Sequence, residues 1–319
     1  RREDPLIGIY ESYDPRVIEQ HIDWAVDHGM ESFVVSFDHS NFLKIHTALS
    51  NVSNINKIKI VLHYETLEVQ LGAPPSKRMP RVRLDWKNEN NARHVLDLMR
   101  EVADLFFQEP WYLHIEGRPA MVFYVTRVWT GFDHVAVNRM RAAMGNFYGI
   151  GDQIFWGKDP QEQIAFGKSY LDSYTAYNMY ESLSWWRNPN EHFFNPAGEE
   201  VNAHLRATAT IGKYEQWANL TQFVPHILPQ YYDFRPLHPP LFGSADEFRQ
   251  NIEMAKGLGQ PPMEGEYSSL FFVVSFNEWF EGTVVEPTEQ WGFQHLEVIR
   301  SQLAPHRPKP TYDLDAIRN

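Results

Sequence analysis

The sequence predicts a single catalytic (β/α)8 barrel domain over residues 1–319, with long insertions in its βα loops. Three observations carry this. Short apolar runs alternate with amphipathic stretches along the whole chain, eight of each. Strict alternation of this kind gives a parallel sheet with right-handed crossovers. The 319 residues suit a barrel with insertions, and no low-complexity linker divides them. A doubly wound open sheet is the alternative. No Gly-x-Gly-x-x-Gly follows the first apolar run, which weakens a nucleotide-binding version.

Taken in order, Leu6–Tyr10 reads as the first strand. Asp14-Pro15 then caps a helix whose apolar positions (Val17, Ile18, Ile22, Ala25, Val26) fall at helical spacing up to Gly29. Ser32–Phe37 is the second strand and 42–52 a weaker helix. Lys57–Glu65 is the third strand. The polar, proline-bearing stretch 66–87 reads as an insertion loop. A clear amphipathic helix covers 90–107. A small hairpin over 111–117 precedes the fourth strand, Pro119–Tyr124, and a helix covers 135–147. Gln153–Trp156 is the fifth strand, with Asp159-Pro160 capping the next helix. Ser173–Asn178 is the sixth strand. The insertion 179–197 carries Trp185 and Trp186, and 198–220 is helical. Phe223–Gln230 is the seventh strand. Its helix, 244–259, opens on a Ser244/Glu247 capping box. The apolar run from Ser269 is the eighth strand, and 293–303 the closing helix.

Composition narrows the function. A formal charge of −12 argues against nucleic acid and against an anionic membrane surface, since both need clustered Lys and Arg. There is no cysteine, hence no disulfide framework. No 18-residue apolar run or leader peptide is visible, and the chain opens Arg-Arg-Glu-Asp rather than on Met, as expected of a processed form. An extracellular, cell-surface or periplasmic setting is compatible with all of this. Ten Trp and 15 Tyr exceed what a core alone needs. Aromatic faces pack on sugar C–H groups while an indole N–H or phenol O–H stays polar.

In a barrel the functional face lies where strands end. The residues gathered there are acids, Tyr, Trp and Asn: Tyr10, Glu65, Tyr177, Asn178, Tyr231, Asn277, Trp279, Glu278 and Glu281. That set fits glycoside chemistry, in which one carboxyl protonates the leaving oxygen and a second serves as base or nucleophile. Glu278 and Glu281 are the candidate catalytic pair. Each also has an ordinary reading as a salt-bridging or turn-capping acid. Glu286, before Pro287, reads as a loop or supporting acid. Tyr10, Glu65, Tyr177, Asn178, Tyr231, Asn277 and Trp279 are the expected sugar-binding residues. There is no His-Glu-x-x-His, no calcium loop and no Gly-x-Ser-x-Gly, so neither metal nor cofactor is expected.

The stretch Ser275-Phe-Asn-Glu-Trp-Phe-Glu-Gly-Thr-Val-Val-Glu-Pro287 resembles the Asn-Glu-Trp-x-Glu-Gly-x-x-x-Glu-Pro signature of glycoside hydrolase family 99, the endo-α-mannosidases, and its WbsX-like relatives. Gly8-Ile-Tyr-Glu-Ser-Tyr-Asp-Pro15, His21-Ile-Asp-Trp-Ala25 and Tyr112-Leu-His-Ile-Glu-Gly-Arg-Pro119 resemble the same group more weakly. The resemblance implies a (β/α)8 barrel and a retaining hydrolase that uses the sugar's own 2-hydroxyl as nucleophile. Glu278 would assist that hydroxyl, giving a 1,2-anhydro sugar. Glu281 would protonate the leaving oxygen and later activate water, which asks for a raised pKa beside the charge of Glu278. The implied substrate is an α-linked glycan such as an α-mannan or another mannose-containing polysaccharide. Phe280 departs from the polar residue usual in the mannosidases, and His63-Tyr64-Glu65-Thr66 is closer to the WbsX-like group. The rival functions are a WbsX-like glycosyltransferase and a glycan-binding barrel without catalysis.

Overall fold

The computed structural model describes residues 3–66, 84–126, 129–153, 170–177, 215, 217–219, 221–232, 243–258 and 270–313. The loop over 67–83, the helix after Asp159, the insertion with Trp185 and Trp186, and most of the helix expected over 198–220 lie outside the described residues.

In chain order the elements are α1 (Pro15–Asp27), β1 (Ser32–Phe37), α2 (Phe42–Ser50), β2 (Lys59–Tyr64), α3 (Glu89–Phe106), β3 (His114–Ile115), β4 (Arg118–Phe123), α4 (His134–Met144), β5 (Tyr148–Asp152), β6 (Ser173–Thr175), β7 (Phe223–Val224), β8 (His226–Ile227), α5 (Ala245–Leu258), β9 (Phe272–Val273) and α6 (Gln294–Leu303). They fall into two compact units. One holds 32–153 and 170–175. The other holds 3–31 and the described residues from 176 to 313.

In the first unit β1, β2, β4, β5 and β6 run parallel in that order, with Val34 opposite Val61 and Met121 opposite both Leu62 and Gly149. The expected hairpin is present, with β3 antiparallel to β4. β2 and β4 are apolar and almost wholly buried, as strands covered on both faces must be. α3 supplies cover through a stripe of Ala92, Val95, Leu96, Met99, Val102 and Phe106. It begins where Asn88 accepts from the backbone N–H groups of Asn90 and Asn91.

The second unit packs α1, α5 and α6 around Trp24, Ile227, Phe248, Ile252, Val285, Leu296 and Ile299. β8 pairs with β9 in parallel. Asp14 caps α1 by accepting from Arg16 N–H at 2.9 Å, with Pro15 at the first helical position. The Ser244/Glu247 capping box forms in both directions, at 2.6 and 3.2 Å.

Three strand expectations are corrected. Residues 6–10 are not a strand: Leu6 and Ile7 make a turn in which Gly8 N–H donates to Pro5 C=O at 2.9 Å, and Ile9 is exposed. β5 covers Tyr148–Asp152, ahead of the expected 153–156, of which Gln153 is outside the strand and 154–156 lie outside the described residues. Its two glycines hid it; a Cβ on Gly151 would lie 2.7 Å from Leu171 Cδ1, so that side chain would have to shift to admit one. The seventh run breaks into β7 and β8 at Pro225, which has no N–H to give a ladder.

His63, buried in β2, has its pKa pushed down to about 4 by burial. The Glu65 carboxylate 4.0 Å away favours the charged ring, but desolvation outweighs it. Between pH 6.5 and about 4 the unfolded chain binds a proton at this site that the folded chain refuses. The neutral ring's contribution is therefore complete above pH 6.5 and is lost as pH falls. Urea unfolding at pH 7 and pH 4.5 should show a stability drop smaller by about 2 kcal/mol in His63→Gln than in the unsubstituted protein. Equal drops would contradict this account.

Candidate active site

The site is built on the loop that leaves β9. Ser275 N–H donates to Thr283 C=O at 2.8 Å, Val285 N–H to Ser275 C=O at 3.0 Å, and Glu286 N–H to Phe276 C=O at 2.9 Å. These bonds close residues 276–284 into a short, tied loop. The Ser275 and Thr283 hydroxyls meet at 2.8 Å across its neck. The Ser275 hydroxyl also accepts from Glu278 N–H at 2.8 Å. Glu278 Oε1 in turn accepts from Phe280 N–H at 3.1 Å, so the carboxylate is turned back on its own loop. The Val274–Ser275 peptide at the loop's start is cis.

Glu281 is held from outside the loop. Its carbonyl accepts from Tyr232 N–H at 2.7 Å. Gly282 follows with φ +62°, and a Cβ there would sit 3.0 Å from the Tyr232 carbonyl oxygen. Only glycine meets both demands. Glu278, Trp279 and Glu281 are half-buried, and one Glu281 carboxylate oxygen is shut off from solvent. Asn277 is exposed, and Phe280 is 63% exposed.

Beneath the loop lies a polar cluster. Glu286 is 1% exposed. Its Oε2 accepts from Tyr10 O–H at 2.7 Å, and its Oε1 lies 3.1 Å from His21 Nε2. The Tyr10 oxygen accepts from Asn277 Nδ2–H at 3.3 Å and from Trp279 Nε1–H at 3.2 Å. Burial first, and then the charge of Glu286, push the Tyr10 pKa above the usual tyrosine range. It stays a neutral phenol. His21, on the buried face of α1, packs edge-on to Tyr10 at 5.2 Å, stacks on Trp24 at 5.9 Å and meets Phe276 at 5.1 Å.

The structure thus brings together Tyr10, Asn277 and Trp279 from the expected set. Tyr177 is half-buried and meets His226 edge-on at 5.6 Å. Tyr231 is wholly buried. Glu65 follows β2 in the other unit, where its backbone N–H donates to Phe37 C=O at 2.9 Å and its carboxylate accepts from the Ser36 hydroxyl. Asn178 lies outside the described residues. His21 and Glu286 are absent from the expected set, yet they sit at the cluster's centre. The available signals were a histidine on the apolar face of α1 and the acid that closes the family-like signature. Among the described residues no group of three or more His, Asp or Glu is placed to hold a metal ion, and no helix is long and apolar enough to cross a membrane.

No protein-family model and no curated protein sequence matches the chain. Among solved structures it is similar to the endo-alpha-mannosidase of glycoside hydrolase family 99 from Bacteroides thetaiotaomicron, bound to BIS-TRIS-propane. The identity is 17%, the coverage 96% of this chain and 88% of that one, and the TM-score 0.66. A glycoside hydrolase-like protein is also 17% identical, over 95% and 89% of the two chains, with a TM-score of 0.68. A family 5, subfamily 18 glycoside hydrolase from Streptomyces cattleya, in complex with GlcNAc, is 9% identical over 98% and 83%, with a TM-score of 0.55. These likenesses define the fold as a (β/α)8 barrel with long βα loop insertions. The fold likeness falls on the family whose signature the loop sequence resembles.

Gly282→Ala should destabilise the protein by about 1–2 kcal/mol, the scale for a Cβ in left-handed backbone. It should also shift the Glu281 backbone, whose carbonyl accepts from Tyr232 N–H. Thermal unfolding of the variant checks the first point, and an unchanged midpoint would contradict the packing described.

Proposed function

We propose that the protein is a retaining glycoside hydrolase of the family 99 type, with residues 1–319 as one catalytic domain. The observation that carries this reading is the tied loop 276–284, which holds two glutamates three residues apart on a turn that other elements clamp. Its sequence is the family-like signature, and the fold it belongs to agrees with that family. The substrate we propose is an α-linked, mannose-containing glycan, and no cofactor is required.

In the proposed reaction the Glu278 carboxylate takes the proton from the sugar's 2-hydroxyl as that oxygen attacks the anomeric carbon. Glu281, as the acid, gives its proton to the departing glycosidic oxygen. A 1,2-anhydro sugar and a free hydroxyl result. The Glu281 carboxylate then takes a proton from water, whose oxygen opens the three-membered ring. Glu278 returns its proton to O2. The two inversions leave the anomeric configuration retained. A hydroxyl fixed beside the reacting carbon has a high effective molarity, and a base at hand makes it a competent nucleophile.

The exposed residues Asn277 and Phe280 and the half-buried Trp279 are proposed to face the sugar. Glu65, Tyr177 and Asn178 are carried as further sugar-binding residues. Tyr231, being buried, would act through the backbone it shares with Tyr232. An exposed phenylalanine between the two glutamates suits the C–H face of a pyranose.

Product release from a panel of α-mannans and other α-linked polysaccharides tests the reading. Hydrolysis by the unsubstituted protein should fall about 10²-fold or more in Glu278→Gln and in Glu281→Gln. NMR of the first-formed product should show the retained anomer. Activity that survives both substitutions, or an inverted product, would sink it. Phe280→Ala should raise KM about threefold to tenfold while leaving the unfolding midpoint in place. An unchanged KM would remove Phe280 from the sugar contact.

A further inference from the structure

The phenolic oxygen of Tyr10 is used up within the protein. A tyrosine hydroxyl has one proton to donate and two lone pairs to accept with. Tyr10 donates its proton to Glu286 and accepts from Asn277 and Trp279. No bond remains for a sugar hydroxyl. The two donors flank Glu278 on either side in the sequence. One oxygen therefore ties down both neighbours of the proposed base. That oxygen is itself fixed by a carboxylate that is 1% exposed, and the carboxylate's other oxygen is met by His21. Glu286 and His21 are buried, so the loss of either would leave a buried polar atom of the other without this partner.

We propose that Tyr10, backed by Glu286 and His21, is a positioning residue that sets the orientation of Glu278 through Asn277 and Trp279, and is not a sugar ligand. This rests on the reading of Glu278 as the base. The logic is geometric. Removing the hydroxyl leaves the ring packed against His21 but frees the Asn277 amide and the Trp279 indole to turn. The loop's neck, held by Ser275 and Thr283, is untouched. The stretch 277–279 then loses the register that aims the carboxylate. Misplacement of a reacting group by about 1 Å can cost about 10²-fold in rate.

The test compares the unsubstituted protein with Tyr10→Phe, Glu286→Gln, the double variant and Tyr312→Phe. Tyr312 is a control, because its hydroxyl donates to Asp27, away from the loop. On a polysaccharide that the protein hydrolyses, Tyr10→Phe should lower kcat about tenfold or more with KM within about threefold. Glu286→Gln should act in the same direction, and the double variant should be no worse than the poorer single one. Tyr312→Phe should match the parent. A KM that rises with kcat unchanged would make Tyr10 a sugar contact and overturn the proposal, as would unchanged kinetics.

A second readout is independent of turnover. With 15N-labelled tryptophan, the Trp279 indole N–H, assigned with Trp279→Phe, should be protected from exchange in the parent and in Glu278→Gln, and exposed in Tyr10→Phe. Protection that survives loss of the hydroxyl would also overturn it. If Glu278→Gln and Glu281→Gln remain active, or no polysaccharide is cleaved, the functional reading falls, and indole exchange still decides the positioning role.

Discussion

A carboxylate taken out of water is costly unless donors meet its oxygens. Glu286 is such a group, with no exposed side-chain surface, and much of the second unit is arranged around that requirement. One oxygen is satisfied from residue 10 and the other from residue 21, so the chain's first turn and first helix must both reach the last tied loop. Pro5 bridges to Thr288 and Leu6 N–H donates to Pro287 C=O at 2.9 Å, which brings the N-terminal segment alongside the acid. The aromatic wall of Trp24, Phe276 and Tyr10 around His21 then lowers the local dielectric, which strengthens each of these bonds and raises the cost of losing one.

The same constraint explains why the loop can be rigid where it carries little regular structure. β9 has two residues, and nothing between it and α6 is a helix. Order comes instead from cross-ties of three kinds: backbone bonds at the neck, the Ser275–Thr283 hydroxyl pair, and the phenol that receives two side-chain donors. Gly282 adds a fourth condition, since its close approach to Tyr232 fixes where Glu281 leaves the loop. Site residues on loops need a supporting layer of this sort to hold a reactive geometry.

Much of the barrel was legible because its helices and buried strands obey periodicity. α1, α3, α4, α5 and α6 came out within a few residues, and their caps at Asp14 and Ser244 form as their residue types require. β5 was hidden because Tyr148-Gly-Ile-Gly-Asp offers few apolar side chains, and its glycines, which lie against the Leu171 side chain, carry little strand propensity. Leu6–Tyr10 read as a strand from its apolar residues, but the turn at Gly8 leaves Ile9 in solvent. At the site, local sequence pointed to the loop and its acids. It could not rank Glu286 above an ordinary loop acid, because that rank comes from partners some 265 and 276 positions away. Nor could it show that the Tyr10 hydroxyl has no capacity left, since hydrogen-bond saturation is a property of three-dimensional neighbours.

Exposure along the loop follows the same division of labour. Glu286 is buried, Glu278, Trp279 and Glu281 are half-buried, and Asn277 and Phe280 are exposed. Phe280 is 63% exposed, whereas the buried acid has polar partners at both of its oxygens and so a strong folding reason for its place. Exposure and inward bonding overlap, since the exposed Asn277 also donates its side-chain amide to the Tyr10 oxygen. Trp279 belongs to both, because its indole N–H is bound inward to Tyr10 while the residue itself remains half-exposed. The hydrogen bond at its N–H restrains the orientation of the indole.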